Sequence, residues 1–183
     1  MAMTNTQIVY FEKGGPHNTD AALALAKERA EQLGIRHIVV ASSSGDTGAR
    51  VAKLFGDYDI IVVNGIYPEQ LLDTHRATIE AVGGRIVCTG HAFGMLGRAV
   101  KAKLGAVQVD EVIAHVLKLF GQGVKVAAEV TCMAVDAGLV PSGTEVIAIG
   151  GSGRGADTAV VIRAAHTQDF FDTRMHEIVC KPR

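Results

Sequence analysis

The chain predicts a single three-layer α/β/α domain with a mostly parallel sheet and an antiparallel C-terminal hairpin. Three observations carry that expectation. Strand-like and helix-like stretches alternate along much of the 183 residues. The strand-like stretches "RHIVVA", "DIIVV" and "EVIAIGG" are continuous apolar runs, the mark of strands covered on both faces. Late in the chain a glycine-rich turn, "SGRGAD", joins two such runs, so the second, "TAVVIRA", is expected to return antiparallel to the first.

The first strand is "QIVYF" at residues 7–11, followed by the loop "EKGGPHNT". Asn18 or Thr19 caps the next helix, whose inner face holds Ala22, Leu23, Ala26, Ala30 and Leu33, with Gly34 placed to end it. "RHIVVA" is the second strand and "SSSGDT" its exit loop. A short helix follows with Val51, Ala52 and Phe55 inward, and Gly56 after it. "DIIVV" is the third strand. Pro68 sits near the first turn of a helix in which Leu71, Leu72, His75, Ile79 and Val82 share the apolar side. "RIVCTG" is the fourth strand, leaving through "TGHAFG".

Val109, Val112, Ile113, Val116, Leu117 and Phe120 then form a helical stripe. The helix after it, residues 124–137, is apolar almost all round and is expected to be deeply buried. Gly138 and Pro141 end it. The hairpin of fifth and sixth strands follows, and the tail "FFDTRMHEIVCKPR" reads as a further edge strand. No linker or low-complexity tract interrupts the chain, so residues 1–183 read as one domain.

Composition narrows the function. The formal net charge is -1 with no block of like charges, and aromatic content is 5%, which argues against nucleic acid as a partner. No apolar stretch is long enough for a membrane span, and the start of the chain lacks the charged-then-apolar pattern of a secretory signal. Cys88, Cys132 and Cys180 are odd in number and widely spaced, which suits buried thiols in a cytoplasmic protein. The histidines show no HxH, HxxxH or HExxH spacing, so no metal is expected.

Two loops carry ligand chemistry. A strand that exits through small residues into a helix forms an anion site, because the first helical N–H groups lack internal partners and the helix dipole adds positive charge. Ser42, Ser43, Ser44, Gly45 and Thr47 either cradle a phosphate this way or simply cap a helix start. In "GGSGRGADT", Gly151, Gly153, Arg154 and Gly155 either close over the same kind of group, with Arg154 giving two parallel hydrogen bonds, or form an ordinary hairpin turn. Glu129 lies within the buried helix and needs a partner or a raised pKa; it either faces a ligand or pairs with Lys125 at i−4. Asp136, in the last turn, is expected to face solvent.

The stretch "HIVVASSSGDTGARVAKLF", with "DIIVV" after it, resembles the C-terminal α/β domain of pyruvate kinase, and "VIAIGGSGRGADTAVVIRA" resembles its last hairpin. The chain as a whole is still more similar to a small stand-alone family of archaeal and bacterial proteins of that type. "HNT", "IVVASSSG", "FGQGVKV" and "GRGADTA" are the stretches that carry the likeness. The resemblance implies a small phosphorylated ligand, with flavin mononucleotide (FMN) or a sugar phosphate as candidates. It does not imply the kinase reaction, because a (β/α)₈ barrel of about 250 residues does not fit in this chain. Asp46 departs from the kinase pattern, which commonly has a basic residue there. A carboxylate 4 Å from a phosphate is repelled by about 1 kcal/mol even in water. Either Asp46 points away and caps the helix, or the ligand is not a sugar bisphosphate.

If the strand order follows the kinase domain, with the first strand beside the fourth, the ligand crevice is lined by "EKGGPHNT" and "TGHAFG". Its candidates are Glu12, His17, Asn18, Thr19, Thr89 and His91. His91 either binds a ligand and shuttles a proton or is a polar loop residue satisfied by backbone. Three readings result. The first is a phosphate- or mononucleotide-binding domain of regulatory role. The second is a small flavin- or nucleotide-dependent enzyme using His91 or Glu129. The third is an oligomeric interaction module. The uncovered tail strand predicts self-association.

Overall fold

The computed structural model describes residues 5–183. The reading of the chain start as lacking a secretory signal rests partly on residues 1–4, which lie outside the described residues. The strands are β1 (Val9–Phe11), β2 (His37–Ala41), β3 (Asp59–Gly65), β4 (Arg85–Cys88), β5 (Glu145–Gly150), β6 (Thr158–Arg163) and β7 (Arg174–Pro182). They form one seven-stranded sheet in the order β1-β7-β6-β5-β2-β3-β4. Every neighbouring pair is parallel except β5/β6 and β6/β7, so β6 alone runs against the rest.

Helices cover both faces. On one face α1 (Thr19–Leu33), α2 (Asp46–Phe55) and α3 (Asp73–Glu80) enclose a core with Ile38, Val40, Ile60, Val62, Ile147, Ile149 and Val161. On the other, α6 (Gln122–Asp136) packs against Val39, Ile61, Val63, Val146, Ala148, Val160 and Ile162. Successive strand residues thus feed alternate cores, and this is why the strands read as unbroken apolar runs. α5 (Val109–Lys118) lies on α6, and α4 (Met95–Leu104) lies on α5. No helix among the described residues is long and apolar enough to cross a membrane.

The sheet order corrects two expectations. β1 and β4 occupy opposite edges, so the first strand is not beside the fourth. The tail is not an edge strand: β7 lies between β6 and β1, with Cys180 fully buried and Val9 paired to it. The physical reason is local. β7 follows β6 after a short excursion and pairs back on it, which fills the position beside β6 and leaves β1 to close the outer edge.

Other differences concern faces and boundaries. Leu71 is extended (φ −76°, ψ 117°), so the helix restarts and α3 begins only at Asp73. Leu71 and Ile79 are buried as expected, while Leu72, Val82 and also Leu33 of α1 are exposed. The α5 stripe faces outward; Ala114, with half-buried Ile113 and Leu117, makes the inner contact. α4 was not anticipated. Cys132 and Cys180 are buried free thiols, but Cys88, at the end of the edge strand β4, is exposed.

Candidate functional site

β2 and β5 are parallel neighbours, with Val40 opposite Ile149, so the serine loop after β2 and the glycine loop after β5 leave the sheet side by side. From there the chain goes opposite ways: β2 connects through α2 to β3, whereas β5 turns back into β6. In an open α/β sheet such a reversal leaves a crevice at the strand ends. The reversal is at β2/β5 and not at β1/β4.

In the serine loop, Ser42 Oγ accepts the Gly48 N–H at 3.1 Å, a cap for α2. Gly45 takes φ 86°, a left-handed conformation that turns the chain into the helix at no steric cost. Ser44 Oγ lies 3.5 Å from the Asp46 N–H. The main-chain N–H groups of Ser43, Ser44, Gly45 and Thr47 have no hydrogen-bond partner among the described residues. They add to the open donors of a helix N-terminus. Asp46 caps nothing; its carboxylate lies 3.3 Å from Arg50 Nε, and Arg50 also reaches Asp20 at 3.1 Å. The loop is braced from outside. The Ser44 carbonyl accepts from the Leu72 N–H at 3.2 Å and lies 2.9 Å from His75 Nδ1, and Asn64 Nδ2 donates to the Ser43 carbonyl. Asn64 is buried, and its Oδ1 has no partner in the structure.

The glycine loop is organised by Asp157, a fully buried carboxylate that sequence reasoning passed over. Its Oδ2 accepts the Gly15 N–H at 2.9 Å and the Ser152 N–H at 3.1 Å, and its Oδ1 accepts the Thr158 hydroxyl at 2.9 Å. Thr19 Oγ1 accepts the Ala156 N–H at 3.1 Å, so the start of α1 is stitched to the same loop. Asn18 is buried and donates to the Lys13 carbonyl at 2.7 Å. Arg154 is exposed at the loop tip, with no ion-pair partner among the described residues. Glu12 and His17 are exposed.

α6 approaches this loop closely. A Cβ on Gly150 would lie 2.5 Å from the Gly123 carbonyl oxygen, and one on Gly123 would overlap the Thr158 side chain. Only glycine at both positions lets the α6 N-terminus sit on the end of β5. One turn further, Lys125 and Glu129 are both buried and ion-paired. Glu129 Oε1 accepts the Phe93 N–H at 3.1 Å, and Oε2 lies 3.5 Å from His91 Nδ1. Burial pushes the Glu129 carboxyl upward, but the hydrogen bonds from His91 and Lys125 outweigh it and hold it below the ordinary glutamate range. His91 is half-buried and faces Gly65 at the end of β3, where the Thr89 N–H also donates to the Gly65 carbonyl at 2.9 Å.

The structure therefore makes two groups of the predicted residues. Ser42, Ser43, Ser44, Gly45 and Thr47 adjoin Gly151, Gly153, Arg154 and Gly155, with Asn18 and Thr19 packed behind. Thr89, His91 and Glu129 form a second group beyond β3. The expected crevice between "EKGGPHNT" and "TGHAFG" is not formed, because the exits of β5, β2 and β3 lie between those loops. Sequence reasoning missed Asp157 and Asn64. The available signal was a polar residue set at the very end of a buried strand, where an unpaired side chain is costly.

The family model for "Pyruvate kinase, alpha/beta domain" matches residues 20–162 of the chain. Among solved structures, a pyruvate kinase from Cryptosporidium parvum is similar at a TM-score of 0.42 with 17% identity, covering 80% of this chain and 23% of that one. The C. parvum pyruvate kinase in complex with ADP gives 0.42 and 18% identity, covering 80% of this chain and 24% of that one. The chain thus spans about a quarter of the length of these two structures.

Proposed function

The chain belongs to the pyruvate kinase alpha/beta domain family, and from that premise we propose that it binds a small phosphorylated molecule at the β2/β5 strand ends, as a regulatory or sensing domain. The observation that carries this reading is the set of N–H groups at Ser43, Ser44, Gly45 and Thr47 that have no partner among the described residues, beside a glycine loop whose Arg154 has no ion-pair partner among them. Helix dipole, backbone donors and guanidinium all favour a dianionic oxygen cluster there. Arg50, paired with Asp46 and shared with Asp20, offsets part of the repulsion that the sequence raised.

The ligand class in this reading is a mononucleotide such as FMN, or a sugar phosphate. A cytoplasmic setting fits the three free cysteines.

Native mass spectrometry of the purified protein, together with calorimetric titration of FMN and of inorganic phosphate, tests the reading. Binding is expected, weakened about tenfold by Arg154→Ala, the loss of one charge-assisted contact worth about 1.4 kcal/mol. No binding of any phosphorylated compound, or binding that Arg154→Ala leaves intact, refutes it.

The chain of Lys125, Glu129 and His91 supports a second reading, a small flavin- or nucleotide-dependent enzyme. A carboxylate orienting an imidazole is the arrangement of a general base. Turnover unaffected by His91→Ala rules that version out.

A further inference from the structure

The outward stripe of α5 departs from an ordinary surface. Val109, Val112, Val116, Leu119 and Phe120 are 76, 50, 51, 82 and 56% exposed, and Val107 before them is 60% exposed. Positions 109, 112, 116 and 119 recur at the three-and-four spacing of a helix–helix seam, with no charged residue among them. We propose that a second copy of this chain covers the stripe, the two α5 helices packing antiparallel across a twofold axis.

Three features favour a second copy as the occupant. First, the seam is symmetric about residue 114. Turned end for end, positions 109, 112, 116 and 119 meet 119, 116, 112 and 109, so valine 112 faces valine 116 twice over. A self-complementary patch is what a twofold interface requires. Second, the charge of α5 is split along its length. The last turn carries His115 and Lys118, while Asp110 and Glu111 of the first turn are turned to α4, against Gly97 and Lys101. Antiparallel packing opposes the helix dipoles and keeps the two basic ends apart, whereas parallel packing sets those ends side by side. Third, the area suits a dissociable dimer. The four seam side chains with Phe120 and Val107, at roughly 100 Å² apiece, offer about 600 Å² per partner, which is the lower end of specific interfaces.

Sedimentation velocity over a wide concentration range tests the proposal. The wild-type chain is expected to shift from monomer to dimer mass as concentration rises. Val112→Lys and Val116→Glu, both at exposed positions, each leave the helical circular dichroism unchanged and the protein monomeric. Mixed together, those two variants regain the dimer mass, because the Val112→Lys position of one copy then faces the Val116→Glu position of the other. A wild-type monomer at every concentration, a dimer that survives Val116→Glu, or a mixture that stays monomeric would overturn it.

Discussion

Asp157 accepts the Gly15 amide hydrogen at 2.9 Å, joining two loops 142 residues apart in the chain. The same Oδ2 accepts the Ser152 N–H, so one buried carboxylate fixes the glycine loop against the start of α1. Both loops carry paired glycines, and the Asp157 carboxylate is what ties one to the other. The shape of the candidate anion site therefore depends on a residue that points away from any ligand.

Replacing it has a definite cost. Asp157→Ala strands two amide hydrogens and the Thr158 hydroxyl without an acceptor, at about 1–3 kcal/mol for each orphaned group that water cannot reach. A total loss of about 2–4 kcal/mol is expected in urea unfolding, with Asp157→Asn losing less because its carbonyl oxygen still accepts. A midpoint equal to wild type in Asp157→Ala would contradict the arrangement described.

Glu129 sets an acid limit on stability. Its folded pKa is depressed, so the stability it contributes is present above the unfolded value of about 4.3 and is lost as pH falls through the folded value. Glu129→Gln should remove that acid-side dependence. At neutral pH it should also cost about 3–5 kcal/mol, because Lys125 is then a buried charge without its partner. Unfolding free energies of the two proteins from pH 7 downward give both quantities. Parallel curves would show that Glu129 does not titrate as described.

The thiols separate by reactivity. Burial pushes Cys132 and Cys180 up to about 12, while Cys88 is exposed on β4. An alkylating reagent at mildly alkaline pH is expected to add one label to the native protein, at Cys88, and three after unfolding. Intact and peptide mass measurements count the labels. Rapid native labelling of Cys180 would mean that β7 is not held inside the sheet.

Much of the fold was legible because the physics that builds it is local. Val39, Ile61 and Ala148 sit in unbroken apolar runs, and burial on two faces leaves no other pattern. Gly34 and Gly138 marked helix ends correctly. The side-by-side exit of the two loops depends on β2 lying beside β5, and that neighbourhood is written in no single stretch. The order of strands was the least legible element. Periodicity says that β7 is a strand but not that Cys180 will face Val9. α4 was missed because only Gly97 within it is buried, so it carries no apolar stripe to be read. For α5 the stripe was seen and its direction was not, since spacing defines a face of a helix but not what lies opposite. Asp157 was passed over because its partners, the Gly15 and Ser152 amides, are backbone groups that no side-chain pattern displays.

The position of β7 bears on how this molecule is made. β1 can pair only once its sheet partner around Cys180, far along the chain, has been synthesised. Until then β6 has one bare flank, Gly15 has no carboxylate until residue 157 emerges, and β1 has no neighbour. Contacts of such long sequence separation slow folding and prolong the exposure of unpaired strands. Docking of the segment around Cys180 between β6 and β1, rather than the assembly of the β2–β3–β4 segment, is then the step that completes the sheet.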